Sequence, residues 1–192
     1  MADKPGKLVV VSGPSGVGKT TIVREVLKRT DCGFSISVTT RQPREDEVNG
    51  RDYHFVDRAA FLKMIDNSEL LEWAEVFDQL YGTPLQPVRQ AVADGKTMLL
   101  DIDVQGGMQV ACKMPEATFV LIVPPNEEAL AKRLRGRGTE SAWALKHRLT
   151  KARHEVDAAK ASGVYNYVVV NDDLETAVRE VVGIVQQESR GK

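Results

Sequence analysis

Cysteine is scarce in this chain of 192 residues: Cys32 and Cys112 stand far apart and fit no zinc or dithiol spacing. Both read as small buried or half-buried thiols rather than as a metal or redox site. Histidine is equally sparse, and His54, His147 and His154 converge on no metal or general-base pattern. Net charge is only −1, so bulk electrostatics make no case for nucleic acid or an anionic membrane as partner. Any anion site must come from local arrangement. No apolar run, the N-terminal "MADKPGKLVVV" included, is long enough for a signal peptide or a membrane span, and a reducing cytoplasmic location is expected. There is no repeat and no low-complexity tract. The length fits a single domain, 1–192, with a sizeable core. The two tryptophans, Trp73 and Trp143, read as packing residues.

What the chain does contain is an alternation of strands and helices. "KLVVVS" (7–12) is continuous, apolar and rich in β-branched residues, as expected of a strand buried on both faces. "KTMLLDID" (96–103), "ATFVLIVPP" (117–125) and "YNYVVVNDD" (165–173) read as further buried strands. Amphipathic helices separate them. One follows the glycine loop after the first strand, with Ile22, Val23, Val26 and Leu27 as its stripe. One starts with Asn126 as N-cap, and one runs from about Ser141 with Leu145, Leu149, Ala152 and Val156 on one side. The last has Asp172 and Glu175 in capping-box spacing. This is the pattern of an α/β protein, a parallel sheet covered by helices.

Residues 35 to 85 break the pattern. Asn49-Gly50 between polar flanks is a hairpin signal, and "RDYHFV" alternates with Tyr53 and Phe55 on one face. "DRAAFLKMI" reads as a short helix, "LLEWAEVF" and "YGT" as short strands. Thr83 followed by Pro84 reads as an N-cap and first-turn proline returning the chain to helix until Gly95. The expectation is an antiparallel insert on a parallel core.

"GPSGVGKT" (13–20) matches G-x-x-x-x-G-K-[ST] and lies between a buried strand and a helix, where its mechanism requires it. Glycines let backbone N–H groups turn inward around phosphate oxygens, and the helix N-terminus adds partial positive charge. Lys19 can reach terminal phosphates, and the Thr20 hydroxyl can ligate Mg²⁺. Such a loop also needs an acidic residue at a neighbouring strand end, and Asp101 is there with Asp103 two residues on. Either aspartate could instead cap the following helix. The loop alone leaves ATPase, GTPase and kinase open. "SVTTRQPREDEVNGRDYHF" (37–55) carries Arg41, Arg44 and Tyr53, which suit either a solvated excursion or an anion cradle. "PREDE" beyond its arginine reads as solvated loop.

Taken together, "VVVSGPSGVGKTT", "SVTTRQPR", "NGRDYHFV", "LLEWAEV", "YGT", "LLDIDVQG", "RLRGRGTE" and "VVNDDL" make nearly the whole chain resemble the guanylate kinases. That resemblance implies a P-loop core (about 5–34 and 84–192), a GMP-binding insert (about 35–83) and a helical lid (about 136–157). It implies transfer of the γ-phosphoryl of ATP to GMP, and by extension dGMP, in purine nucleotide metabolism, with Mg²⁺ accompanying ATP. No nucleic acid, membrane or obligatory protein partner is expected. On the acceptor side it implies Ser37, Arg41, Arg44, Tyr53, Glu72, Tyr81, Thr83 and Asp103. Arg41, Arg44 and Tyr53 suit a phosphate, and a carboxylate such as Glu72 suits the two adjacent donors of guanine. Thr83 stands where the family usually has serine; its hydroxyl is retained and a methyl group is added. On the donor side the resemblance implies Ser15, Gly16, Val17, Gly18, Lys19, Thr20 and Thr21, with Arg133, Arg137 and Asn171. It implies Thr20 and Asp101 as holders of Mg²⁺, Asp101 through water, and Lys19, Arg41, Arg137 and Arg148 as the charges acting on the phosphoryl group. Gly136 and Gly138 would give the lid its hinge freedom. Arg133 and Arg137 near a helix C-terminus also have a plain electrostatic reading. A phosphopeptide-binding module and a kinase for another small phosphate are the competing classes. The intact loop argues against the first, and Ser37, Glu72 and Asp103 argue against the second.

Overall fold

The structure is a computed structural model that describes residues 6–76, 78–135 and 142–189. The expected Arg137, Gly136 and Gly138 lie outside the described residues. At the centre is β1 (Leu8–Ser12), whose five side chains are all buried, which is why the run is apolar without alternation. It pairs in parallel with β7 (Met98–Asp101) on one side and β8 (Thr118–Val123) on the other. A two-residue strand, β2 (Gly33–Phe34), extends the sheet beyond β7, and β9 (Tyr167–Val170) extends it beyond β8. The order is β2-β7-β1-β8-β9. β9 is therefore an edge, not the buried strand its valines suggest: Val169 is buried, but Val168 and Val170 are exposed.

Helices cover both faces. α1 (Lys19–Arg29) and α7 (Leu174–Ser189) pack Ile22, Val26, Val178 and Val181 onto Val9, Val11 and Val169. On the other face α3 (Leu85–Ala93) and α4 (Val104–Lys113) bring Val88 and Val110 against Val10 and Leu100. α5 (Glu127–Arg135) is capped by Asn126, whose Oδ1 accepts from the Ala129 N–H at 2.8 Å. It packs Leu130 and Leu134 against Leu145, Leu149 and Ala152 of α6 (Ala142–Ala161).

Residues between β2 and α3 build a second sheet. Its members are β3 (Val38–Thr39), β4 (His54–Phe55), β5 (Leu70–Val76) and β6 (Gln79–Pro84), ordered β4-β3-β6-β5. β6 is antiparallel to β3 and β5, whereas β4 runs parallel to β3. Asn49-Gly50 thus makes a turn and not a hairpin. The Asn49 side chain accepts from the Phe55 N–H, and the Asp52 carboxylate accepts from the Val48 N–H. These bonds fold 48–53 on itself before the chain lays β4 down. α2 (Arg58–Asp66), capped by Asp57 on the Ala60 N–H, buries Phe61 with Val38, Leu70 and Leu80 as a separate small core.

Other expectations are corrected by packing. Pro84, not Thr83, is the N-cap of α3, because the Thr83 hydroxyl is turned inward to a buried partner. Asp173, not Asp172, caps α7, accepting from both the N–H and the hydroxyl of Thr176. Cys112 is exposed, and Trp143 is 76% exposed, stacked on His147 along α6. Trp73 is also exposed, on the outer face of β5.

Candidate active site

The glycine loop joins β1 to α1, and Gly18 starts the helix in the left-handed region, φ +96°. The Val17 carbonyl accepts from Asn171 Nδ2 at 2.7 Å and Arg133 Nη1 at 3.2 Å. Two donors thus hold that carbonyl, and α1 begins directly after it, where the free N–H groups of a helix start suit an anion. Arg133 Nη2 also donates to the Asn171 carbonyl at 2.8 Å. Arg133 therefore ties α5, the loop and the β9–α7 connection together, which a plain helix-end charge would not do. A cavity of about 370 Å³ opens beside this knot, walled by Gly16, Gly18, Thr21, Arg133 and Asn171. Asn171 is buried and its Oδ1 has no hydrogen-bond partner among the described residues. Arg148 on α6 donates to Ser15 Oγ at 3.0 Å.

At the end of β7, Asp101 meets the start of α1. Its Oδ1 lies 2.6 Å from Lys19 Nζ, and its Oδ2 accepts from Thr20 Oγ1 at 2.8 Å. Parallel pairing of β1 with β7 brings these residues together across the chain. Thr20 and Asp101 supply hard oxygens, and no cluster of three or more His, Cys, Asp or Glu able to hold a metal occurs among the described residues. That donor set fits Mg²⁺, which keeps waters and shares its coordination with substrate phosphates.

Thr20 and Asp101 also line a cavity of about 410 Å³ together with Ser37, Arg44, Glu47 and Tyr53 of the insert. Arg41 does not line it. Its guanidinium is bound to Glu47 at 2.8 Å and lies 5.5 Å from the Tyr53 ring centroid. Glu47 accepts from the Arg44 N–H with its other oxygen, also at 2.8 Å. These bonds, the Arg41 one first, hold the Glu47 carboxyl below the usual carboxylate range, and the same Glu47 contact raises the Arg41 guanidinium. Glu47, in the stretch expected to be solvated loop, is instead the anchor of both arginines. Its spacing from Arg41 and Arg44 was the available signal. Tyr53 sits edge-on to Tyr81, 6.1 Å between centroids, and burial raises its hydroxyl pKa.

A second cluster lies at the start of α4. Glu72 is 5% exposed and accepts from Thr83 Oγ1 at 2.6 Å. Burial, against that hydrogen bond and with the Asp103 charge adding to it, pushes Glu72 up to about 7. Asp103 caps α4 through the Gly106 N–H at 2.7 Å. A Cβ at Gly106 would stand 2.7 Å from Glu72 Oε2, so glycine here makes room for the carboxylate.

A phosphate loop at the end of β1, an acidic residue at the end of the neighbouring β7 and a cavity that Thr20 and Asp101 share with Arg44 of the insert are thus brought together. The guanylate kinase family model matches residues 5–188. The chain belongs to the guanylate kinase family. It is 46% identical over 187 residues to the guanylate kinase of Bacillus anthracis, covering 96% of this chain and 90% of that one. It is 46% identical over 184 residues to that of Synechocystis, covering 95% of each. Among solved structures, guanylate kinase from Anaplasma phagocytophilum superposes with a TM-score of 0.78 at 35% identity, over 98% of this chain and 89% of that one.

Within the guanylate kinase frame the sequence-expected residues fall into three groups. The first is the loop set around Lys19, Arg133 and Asn171, with Ser15 and Arg148. The second is Ser37, Arg44 and Tyr53, with Arg41 and Tyr81 behind them, and the third is Glu72, Thr83 and Asp103. Gly18 permits one direct test. A methyl group there would meet Asn171 Nδ2 at 2.5 Å on a backbone that disfavours side chains. Gly18→Ala should lower kcat/KM for ATP by about ten-fold or more, since strain and displacement of Asn171 both act on the loop. Steady-state kinetics with varied ATP would check it; an unchanged value would mean the loop does not need this geometry.

Proposed function

We propose that the chain transfers the γ-phosphoryl group of ATP to GMP, giving ADP and GDP, as a guanylate kinase of purine nucleotide metabolism. One observation carries this reading: Thr20 at the phosphate loop and Asp101 at the end of β7 line a single cavity of about 410 Å³ together with Arg44 and Tyr53. A cavity of that size is in the range of small-molecule sites. Its lining brings the hydroxyl beside the phosphate loop and an arginine of the insert to one space, where two phosphates could meet.

The division of labour follows from charge. The loop N–H groups and Lys19 hold the phosphates of ATP. Mg²⁺ entering with ATP would be held by Thr20 and Asp101 and would supply further neutralising charge on the phosphates. Lys19, ion-paired to Asp101 at 2.6 Å, exchanges that partner for phosphate oxygen when nucleotide arrives. Arg44 and Tyr53 bind the GMP phosphate, and Arg41 joins them by turning from Glu47. Ionised Glu72 accepts from guanine N1–H and the exocyclic amine, with Asp103, Ser37 and Thr83 completing the base site. Arg148 already reaches the loop at Ser15, so α6 is placed to deliver charge and to shut out water. The acceptor phosphate is itself anionic, so no general base is required; positioning and charge neutralisation do the work. The insert, 35–83, serves as the GMP-binding part and 136–157 as the lid, on a core of 5–34 and 84–192. dGMP, which carries the same base and phosphate, is included in the proposal as a second acceptor. A cytoplasmic setting, where both nucleotides are consumed, goes with this reading. No described helix is long and apolar enough to cross a membrane.

A panel of nucleoside monophosphates and sugar phosphates, each with Mg·ATP and ADP release as readout, tests the proposal. GMP and dGMP should be turned over far faster than AMP, CMP, UMP or ribose phosphate. Turnover confined to a sugar phosphate, or to none of the panel, would overturn it.

A further inference from the structure

β5 is the outer strand of the insert sheet, yet the backbone of Trp73 on it is not left open. The Trp73 N–H donates to Gln109 Oε1 at 3.1 Å, and Gln109 Nε2 donates to the Trp73 carbonyl at 2.8 Å. One side-chain amide on α4 thus meets both donor and acceptor of a single strand residue, as a neighbouring strand would. One helical turn on, Lys113 Nζ donates to the Leu70 carbonyl at 2.7 Å. The two anchors bracket Leu71 and Glu72.

That bracket falls where strand pairing is weakest as a ruler. The register of β5 against β6 shifts between Leu70 and Glu72, and a slip of one residue would turn Glu72 to the opposite face. α4 meanwhile carries Asp103 at its N-cap and Gly106 in its first turn, where a Cβ would lie 2.7 Å from Glu72 Oε2 and 3.4 Å from Asp103 Oδ1. One rigid helix therefore holds Asp103 directly and Glu72 through the strand beside it.

We infer that Gln109 is a positioning residue for guanine recognition: its amide clamps β5 at Trp73 and so holds the Glu72 carboxylate in register with Asp103. The inference deepens the GMP reading and rests on it. Gln109 acts through Trp73 and Glu72, and nothing requires it to touch the base. Its loss should therefore appear in the use of guanine and leave the ATP loop alone. A tie that merely braces the insert against the core would instead lower thermal stability with no preference between the two substrates.

Gln109→Met keeps side-chain length and helix propensity but removes both hydrogen bonds. It should raise KM for GMP by about ten-fold, the scale of a small misplacement of a binding group, with KM for ATP unchanged. It should also narrow the preference for GMP over IMP, which lacks the exocyclic amine and so gains less from a well-placed carboxylate. Equal KM values for GMP in variant and wild type, or parallel rises for GMP and ATP, would overturn the inference. Gln109→Glu keeps the acceptor for the Trp73 N–H and loses the donor to its carbonyl. If Gln109→Met does not fold, Gln109→Glu decides: the same GMP-selective change supports the role, and an unselective one removes it. Absence of GMP turnover in the wild-type chain would overturn the underlying reading as well, whereas GMP turnover without the split defeats this inference alone.

Discussion

Lys19→Ala lowers kcat for phosphoryl transfer to GMP by about two or more powers of ten, the scale seen when one preorganised charge is removed from a phosphoryl or oxyanion site. The fold should survive. Lys19 opens α1, its ion-pair partner is Asp101 at the site itself, and alanine is a better helix former than lysine. What the variant loses is a cation that can follow charge as it moves from ATP towards the acceptor. KM for GMP should change little, because the cluster around Glu72 proposed to hold guanine is a separate group of residues. A coupled assay with both substrates saturating reads the effect, with circular dichroism as the check on folding. Near-normal turnover in a folded variant would remove Lys19 from the mechanism.

Glu72→Gln should reduce kcat/KM for GMP by about a hundred-fold or more while ATP binding stays as it was. Guanine offers two donors side by side; glutamine meets them with one acceptor and one donor, so one hydrogen bond is lost and two N–H groups are opposed. The wild-type carboxylate adds a pH dependence of known sign. Burial raises Glu72 to about 7 in the free protein, and only the ionised form accepts twice. GMP binding therefore releases a proton below that value. Affinity should fall as pH drops through 7 towards 5 and level off above 7.5. The phosphate of GMP titrates nearby, so guanosine, which has none, is the control and should show the same limb. Stability follows the same linkage. A carboxylate whose folded pKa exceeds its unfolded one favours the folded state at low pH and loses that advantage as pH rises from about 4.5 to 7. Glu72→Gln should thus gain on wild type in thermal stability between pH 5 and pH 8. Loss of GMP and ATP binding in equal measure, or a pH-independent guanosine affinity, would make Glu72 a structural residue.

The parts of this protein that could be read from the chain are those in which one contiguous stretch decides the outcome. The run Leu8–Ser12 is buried on both faces and says so by having no polar alternation. Asn126 lies next to the N–H groups it caps, and the stretch "DRAAFLKMI" read as a short helix forms α2 directly after its Asp57 cap. Where two local solutions were equally cheap, only packing chose. Thr83 has the chemistry of a cap, but a buried carboxylate competes for its hydroxyl and wins. Asn49-Gly50 has the chemistry of a hairpin, but Asp52 and Asn49 close a local turn and the strand pairs parallel. Valine composition cannot distinguish the edge strand β9 from a central one, because the missing neighbour is a fact about another part of the chain.

By itself the sequence determined the phosphate loop, the alternation of strands and helices in the core, and the family resemblance, since several contiguous motifs carry these without reference to distant residues. The tertiary structure decided who meets whom. Parallel pairing of β1 with β7 brings Asp101 to Lys19, burial beside Asp103 shifts Glu72, Glu47 gathers Arg41 and Arg44, and Gln109 grips Trp73. Periodicity along a chain reports whether a side chain is buried; its partner, and hence its charge and aim, depends on the register of strands distant in sequence.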